Sequence, residues 1–335
     1  MKLRISERTL LLRHVFAISR ETILEKRAFF VELRHQGIVG RGEAAPMAHF
    51  GDTSASCLEA LERMVGTMPE CPGDHEALIR SLEATAPESP AARAAVDAAI
   101  MDWVGRSLDV PLFKLWDVDP EKMPPTSMSI AIDAPECVRQ RALEASDFTV
   151  LKLKLGGVED RAMVNAIREI TDSVIRVDAN EGYPDRETAL REIEWLAGHN
   201  VELVEQPLPA DRTDDMIWLK KRSPLPLIAD EAFLQCGDLP KLVDGYDGIN
   251  VKLVKCGGTL AARDAILAAR SFGLKVMLGC TIESSLGIAA AAHLAPLADY
   301  ADLDGNLLIS NDPFIGHPVV DGRIRLRDAP GLGIA

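Results

Sequence analysis

From Lys2 to about Gly42, apolar and polar residues alternate in the two-residue rhythm of strands. KLRISERTLLL and AFFVELRHQGIVGRGEA carry the pattern, the second with a turn near Gln36-Gly37, and a polar loop, AISRETILEK, lies between them. The rhythm then changes to helical spacing in SASCLEALERMVG, DHEALIRSLEA and AARAAVDAAIMDWVGRSL, the last stopped by Pro111. Strands followed by helices predict a compact α+β unit. The Pro-rich DVDPEKMPPT, ending at Thr126, reads as a linker.

Beyond Thr126 short β-branched or apolar runs recur: SMSIAID, VLKLKLG, VIRVDAN, VELVEQP, LPLIADE, INVKLVK, KVMLGC and YADLDG. All but the last are followed by a helical stretch such as DRAMVNAIREITD or LAARDAILAARSFG. Strands spaced about 22 to 28 residues apart, in this number, predict a (β/α)8-type barrel. A doubly wound sheet is the rival. It would need a Gly-rich phosphate turn after an early strand, and Gly156-Gly157 and Gly257-Gly258 do not supply one.

Composition narrows the function classes. Of the 335 residues, 47% are hydrophobic and 26% charged, as in ordinary globular proteins. A formal charge of −14 lacks the basic footprint of a nucleic-acid binder. The cysteines (57, 71, 137, 236, 256 and 280) form no CxxC pair, which speaks for a reducing compartment. The first residues alternate charge with apolarity and build no signal-peptide core. IAAAAHLAPLA, Ile288 to Ala298, is too short to span a bilayer and reads as a buried helix. The expectation is a cytoplasmic protein with no membrane or nucleic-acid partner.

Charged residues stand where the barrel strands end. Lys152 and Lys154 end the second run, Asp178 the third, Glu205 the fourth and Asp230 the fifth. Lys252 lies in the sixth, Cys280 ends the seventh, and Asp302 and Asp304 end the eighth. In a barrel these ends form one rim, where barrel enzymes do chemistry. Charges there are costly unless paired or bound to metal. Three carboxylates on adjacent strands, Asp178, Glu205 and Asp230, form a hard oxygen site suited to Mg²⁺. Lys152 and Lys154 share a strand face, and Lys252, four strands on, approaches from the opposite side. Two lysines across a substrate could take a proton from one face of a carbon and return one to the other. Pairing with the acids is the alternative for each lysine, above all for Lys152.

At these residues the chain resembles the enolase superfamily, muconate-lactonising subgroup, nearly end to end. LKLK with Lys152 and Lys154, VDAN with Asp178, VEQP with Glu205, ADE with Asp230 and NVKLVKCGG with Lys252 are similar to that family's motifs. GRGEAAPMAHFGDTS and AARAAVDAAIMDW resemble its capping domain. The resemblance implies a capping domain over residues 1–120, a barrel over 121–315 and a segment, 316–335, that returns to the cap. It also implies one Mg²⁺ per active site and proton transfer between Lys154 and Lys252 through an ene-diolate, with Lys152 beside the substrate carboxylate.

Fold alone cannot choose the reaction. DLDG at Asp302–Gly305 resembles the DxD of dipeptide epimerases, whose acids hold the substrate ammonium. An Asp-Gly turn is the other reading of Asp304. Arg20 lines up with an arginine that meets a glutamate side chain in L-Ala-D/L-Glu epimerases, and is otherwise a solvated charge. By the same alignment Ser129 and Cys280 contact substrate, or else are packing. The implied function is a Mg²⁺-dependent dipeptide epimerase acting on L-Ala-D/L-Glu or a related dipeptide. Rivals with the same core are o-succinylbenzoate synthase with N-succinylamino-acid racemisation, and muconate cycloisomerisation. A non-catalytic barrel would have lost a ligand or a lysine, and none is missing. Assembly into a homo-oligomer stays open.

Overall fold

Three antiparallel strands, β1 (Lys2–Ala17), β2 (Thr22–His35) and β3 (Ile38–Ala44), form the N-terminal sheet of this computed structural model. It describes residues 1–70 and 73–334; Cys71, and Ala335 at the end of the 316–335 segment, lie outside them. The turn at Gln36-Gly37 has both residues at positive φ. The loop expected over AISRETILEK is far shorter than the sequence suggested. Only residues 18–21 leave the ladder, because Phe16 pairs with Ile23 and Ala17 with Thr22. Register is broken between Leu11 and Phe16, where β1 turns to the barrel instead. There Arg13 N–H donates to the Leu308 carbonyl at 2.9 Å, and Ser310 N–H to that of Leu11 at 2.8 Å. This second anchorage carries the hairpin tip over the barrel mouth.

The helices α1 (Ser54–Thr67), α2 (His75–Thr85) and α3 (Pro90–Ser107) cover the sheet. Thr53, Asp74 and Ser89 cap them, each accepting the N–H three residues on. Gly40 and Gly42 let β3 lie directly on α3, since a Cβ at either would strike the Ala99 or Ala95 carbonyl. Asp102 of α3 accepts the N–H of Leu332 at 2.8 Å, and Arg106 donates to the Ile334 carbonyl at 2.8 Å. A short α4 (Leu112–Leu115) and a 3₁₀ turn at Pro120–Lys122 occupy the expected linker region.

The eight predicted runs all form parallel strands: β4 (Met128–Ile130), β5 (Val150–Lys154), β6 (Val174–Asp178), β7 (Val201–Glu205), β8 (Leu227–Ala229), β9 (Gly248–Val251), β10 (Lys275–Gly279) and β11 (Tyr300–Asp302). They pair in chain order, and a parallel bridge between Thr126 and Ala301 closes the barrel. Between them run α5 (Pro135–Glu144), α6 (Asp160–Arg168), α7 (Arg186–Ala197), α8 (Thr213–Lys220), α9 (Leu239–Leu242), α10 (Leu253–Cys256), α11 (Thr259–Ser271) and α12 (Ser285–Ala292). Arg176 fills the barrel interior, donating to Glu202 at 2.8 Å and the Ala301 carbonyl at 2.7 Å, with its guanidinium over the Tyr300 ring.

The alanine-rich α12 is wholly buried. Glu43 of β3 reaches across to its N-terminus and accepts the N–H groups of Ser284 at 2.9 Å and Gly287 at 3.0 Å. The cap is thereby tied to the barrel. Among the described residues no helix is long and apolar enough to cross a membrane.

Two histidines near the C-terminal end of α12 carry a pH signature. His293 Nδ1 accepts the Phe113 N–H and His317 Nδ1 that of Arg327, each at 3.2 Å, and among the described residues both Nε2 atoms are buried without a partner. Burial pushes the first down to about 3 and the second to about 4. Unfolded histidines take up protons near pH 6.5, so this stability is complete above that value and is lost as pH falls towards 4. Glu43, pushed up to about 8 by burial and Glu283, acts in the opposite sense. The histidine contribution must therefore be read as a difference. His293→Asn, measured by denaturant unfolding, is expected to narrow its stability gap to wild type by about 2 kcal/mol between pH 7.5 and pH 5. A constant gap would refute the assignment.

Candidate active site

Parallel register builds the site. Lys154 is the ladder neighbour of Asp178, and Asp178 that of Glu205, so three charged side chains stand abreast at the barrel mouth. Asp230 follows β8 by one residue, and Lys252 follows β9 rather than lying within it. Asp302 ends β11 beside Gly279, and Asp304 stands two residues further on. All of these side chains are buried or nearly so.

Asp178, Glu205 and Asp230 bring carboxylate oxygens within 4.8 Å of one another. Three buried acids this close repel unless a cation separates them. Burial and the Asp178 charge accordingly hold the Glu205 carboxyl above its ordinary range. Its Oε2 is buried and accepts no well-formed hydrogen bond, although Lys152 Nζ stands 2.6 Å away. An all-oxygen donor set with an unsatisfied buried oxygen fits Mg²⁺.

The lysines rest on these acids. Lys152 Nζ lies 2.6 Å from Asp302 and 3.2 Å from Asp178 as well as beside Glu205. Burial alone would lower its pKa, but the carboxylates of Asp302, Glu205 and Asp178 outweigh burial and hold it well above the usual lysine range. Lys154 Nζ donates to Asp178 Oδ2 at 2.6 Å and Lys252 Nζ to Asp230 Oδ2 at 2.7 Å. The two therefore flank the acid triad from β5 and β9, four strands apart. Burial depresses the Lys252 pKa too, and Asp230 and Glu205 raise it by more.

Asp302 and Asp304 are held differently. Asp302 has both oxygens engaged, with Lys152 on Oδ2 and the Ser127 hydroxyl donating to Oδ1 at 2.6 Å. Asp304 Oδ2 accepts the Ser129 N–H at 2.5 Å, and Oδ1 lies 4.0 Å from the Cys280 thiol. Among the described residues Asp304 forms no ion pair; burial, then the Asp302 charge, raises its pKa. Ser129 and Cys280 thus both meet Asp304. Burial and Asp304 keep that thiol protonated. Arg20, at the hairpin tip, is already engaged: it donates to Glu231 Oε1 at 2.7 Å and to the Asn180 carbonyl at 3.3 Å.

A cavity of about 90 Å³ lies among Arg20, Ser129, Lys152, Lys154, Lys252 and Asp304. A larger groove, of about 660 Å³, runs between the cap helices and the β8 and β9 loops, but holds none of these groups. The candidate chemical groups line the small one.

Several supporting residues escaped the sequence reading. Lys255, its side chain 1% exposed, donates to both Asp230 Oδ1 and the Asp230 carbonyl at 2.6 Å. Asn250 donates to Glu205 Oε1 at 2.7 Å, and Gln206 Oε1 accepts the N–H groups of Asp230 and Ala232 at 3.0 and 3.1 Å. Asn180 and Glu231, joined at 3.1 Å, link the Asp178 and Asp230 strand ends. The available signals were position alone. Asn250 shares a strand face with Lys252, Glu231 adjoins Asp230, and Lys255 falls one helical turn after Lys252.

Comparison with known proteins gives the chain's family. The family model for the mandelate racemase / muconate lactonizing enzyme N-terminal domain matches residues 2–116, and the enolase C-terminal domain-like model residues 136–335. The L-Ala-D/L-Glu epimerase of Bacteroides thetaiotaomicron is 40% identical over 335 residues, covering 100% of this chain and 88% of that protein. The L-Ala-D/L-amino acid epimerase of Pedosphaera parvula is 41% identical over 298 residues, 88% of this chain and 86% of its own. The crystal structure of a dipeptide epimerase from Enterococcus faecalis V583, complexed with Mg and L-Leu-L-Tyr, superposes with a TM-score of 0.92. It has 31% identity, over 100% of this chain and 99% of that one.

Proposed function

The chain belongs to the mandelate racemase/muconate lactonizing enzyme group of the enolase superfamily, and we propose that it is a Mg²⁺-dependent dipeptide epimerase acting on L-Ala-D/L-Glu or a close relative. The observation that carries the substrate class is Asp304. It is a buried acid that lines the same cavity as Lys154 and Lys252, with the Ser129 N–H on one oxygen, the Cys280 thiol 4.0 Å from the other and, among the described residues, no ion pair. A buried carboxylate in that state calls for a cation, and the free ammonium of a dipeptide supplies one. An N-succinylated amine or a lactone carries no such charge.

Lys154 and Lys252 face the α-carbon of the carboxy-terminal residue from opposite sides. One removes its proton and the other returns one to the opposite face, which inverts the centre. Lys152 stands beside the substrate carboxylate and neutralises charge there. Asp302 holds Lys152 in place, and Asp304 takes the ammonium. Asp178, Glu205 and Asp230 would hold Mg²⁺, whose charge withdraws electron density from the bound carboxylate and so acidifies the α-proton. Arg20 closes the cavity above, where its remaining donors can take a second carboxylate. The same reading makes this a cytoplasmic enzyme of small peptides, in keeping with free thiols at Cys57, Cys137, Cys236, Cys256 and Cys280.

The test is deuterium uptake at the α-carbon, by mass spectrometry, with Mg²⁺ in D₂O. L-Ala-L-Glu should exchange and epimerise, and N-succinyl-L-Glu should not. Asp304→Asn should raise KM for the dipeptide by at least ~10-fold, about the worth of one charge-assisted hydrogen bond. Turnover of the succinylated compound in preference to every dipeptide would overturn the assignment.

A further inference from the structure

A second group of metal-type side chains stands beside the acid triad. His49, Glu181 and Glu231 can each bring one ligand atom within 4.8 Å of the others. They come from three parts of the chain. His49 lies on a 3₁₀ turn of the cap, Ala48–Phe50. Glu181 belongs to the loop after β6, and Glu231 to the loop after β8, directly following Asp230. The group shares no residue with Asp178, Glu205 and Asp230.

Existing hydrogen bonds divide each carboxylate. Glu231 Oε1 accepts from Arg20 at 2.7 Å and from the Asn180 amide at 3.1 Å. Its Oε2 is buried and, among the described residues, has no partner, on a side chain only 1% exposed. A buried oxygen in that state costs free energy until a donor or a cation reaches it. Glu181 Oε1 accepts the Ala210 N–H at 2.7 Å, while Oε2 stands 3.3 Å from His49 Nε2. Two ligands on a tetrahedral ion with bonds of about 2.0–2.2 Å lie at much the same separation. Arg20, 3.8 Å from Glu181 Oε2, sets one positive charge against the two carboxylates. With a neutral imidazole the group therefore keeps a net negative charge.

We propose that His49, Glu181 and Glu231 form a second metal site, for a transition ion such as Zn²⁺, which clamps the cap to the barrel. One imidazole and two carboxylates suit that ion, whereas Mg²⁺ favours the all-oxygen triad. His49 and Glu181 are partly exposed, so the ion enters from solvent. The position gives the consequence. The site cavity holds about 90 Å³, well below the roughly 300 Å³ at which small-molecule pockets begin. The cap segments over it must therefore move when a substrate enters. Met47, two residues before His49, lines that cavity. An ion that joins His49 to the two barrel loops ties this segment down and slows its opening.

The experiment titrates Zn²⁺ into the metal-free protein by calorimetry, in wild type, His49→Ala, Glu181→Gln and Glu205→Gln, each checked for folding by circular dichroism. The acid triad also takes Zn²⁺, so wild type should bind two ions. His49→Ala and Glu181→Gln should each weaken one of them at least ~10-fold and leave the other as it was. Glu205→Gln should weaken the other ion instead, which assigns the two sites. In that variant Zn²⁺ should slow amide hydrogen exchange across residues 45–51, the reading of a tied-down cap segment. A single ion in wild type, or two that bind His49→Ala and Glu181→Gln as tightly as wild type, would overturn the site. Exchange unchanged by the bound ion would overturn the clamp. No substrate enters these measurements, so their failure leaves the epimerase reading untouched.

Discussion

Lys252→Ala is expected to lower epimerisation by ~1,000-fold or more, the upper part of the range that positioned acid–base groups supply. The variant should nevertheless still exchange one hydrogen. Lys154 remains on the other side of the site, so the epimer whose α-proton faces it should take up deuterium without inverting. The opposite epimer should be silent. Lys154→Ala should show the mirror image, with the reactive and silent epimers exchanged. The fold should survive both changes. Without Lys252, Asp230 keeps Lys255 at 2.6 Å; without Lys154, Asp178 keeps Lys152 at 3.2 Å. Neither acid is left buried and unpaired, the condition that makes breaking an ion pair costly. Mass spectrometry of each pure epimer after incubation in D₂O decides the matter. Equal exchange of both epimers by either variant, or epimerisation within tenfold of wild type, would remove the two-lysine mechanism.

The barrel was legible because its signal is repeated. Each of β4 to β11 is a short run, most of them largely buried, and eight runs with helices between them admit few other architectures. The rim charges were legible for a related reason. A strand end is a fixed place in this fold, so Asp178, Glu205, Asp230 and the lysines could be brought to one mouth without knowing any distance. Chain order does not give partners. It could not show that Asp302 would be taken up by Lys152 and Ser127 while Asp304 met only the Ser129 N–H and the Cys280 thiol among the described residues.

The hairpin shows the other limit. AISRETILEK has the composition of a loop, yet most of it continues the ladder, since the strand tip projects beyond its own sheet and needs few apolar residues. What holds it is the pairing of β1 with residues 308–310, a contact about three hundred positions distant in the chain. Lys255, Asn250 and Gln206 were missed for the same kind of reason. They touch the clustered acids and the backbone around them rather than the cavity, and a residue whose role is to hold another carries no motif of its own. Lys255 is a plain case: a lysine on a four-residue helix, α10, reads as surface until its ammonium is found on Asp230.

Glu205→Gln is the second change with a large expected effect, and it separates the metal from the fold. Glutamine keeps the shape of the side chain and an oxygen for the Asn250 amide, which now donates to Oε1. It removes one of three buried negative charges that stand within 4.8 Å of one another. Burial and Asp178 already strain the Glu205 carboxylate upward in pKa, so losing that charge relieves repulsion even as it weakens the contact with Lys152. Lys152 itself retains Asp302 and Asp178. The metal-free variant should therefore melt within a few degrees of the metal-free wild type. Mg²⁺ should tell them apart. A ligand that binds only the native state raises stability by about 2.7 kcal/mol at one hundred times its Kd, so wild type should gain Tm steadily with added Mg²⁺. Glu205→Gln should lose at least ~100-fold in Mg²⁺ affinity, by the scale on which metal sites respond to loss of supporting groups, and its Tm should stay flat over the same titration. Epimerisation should fall with occupancy, by ~1,000-fold or more at Mg²⁺ levels that saturate wild type. A variant that binds Mg²⁺ normally by calorimetry would show that Glu205 is no ligand. One that melts far below wild type without metal would show instead that this carboxylate holds the barrel mouth together.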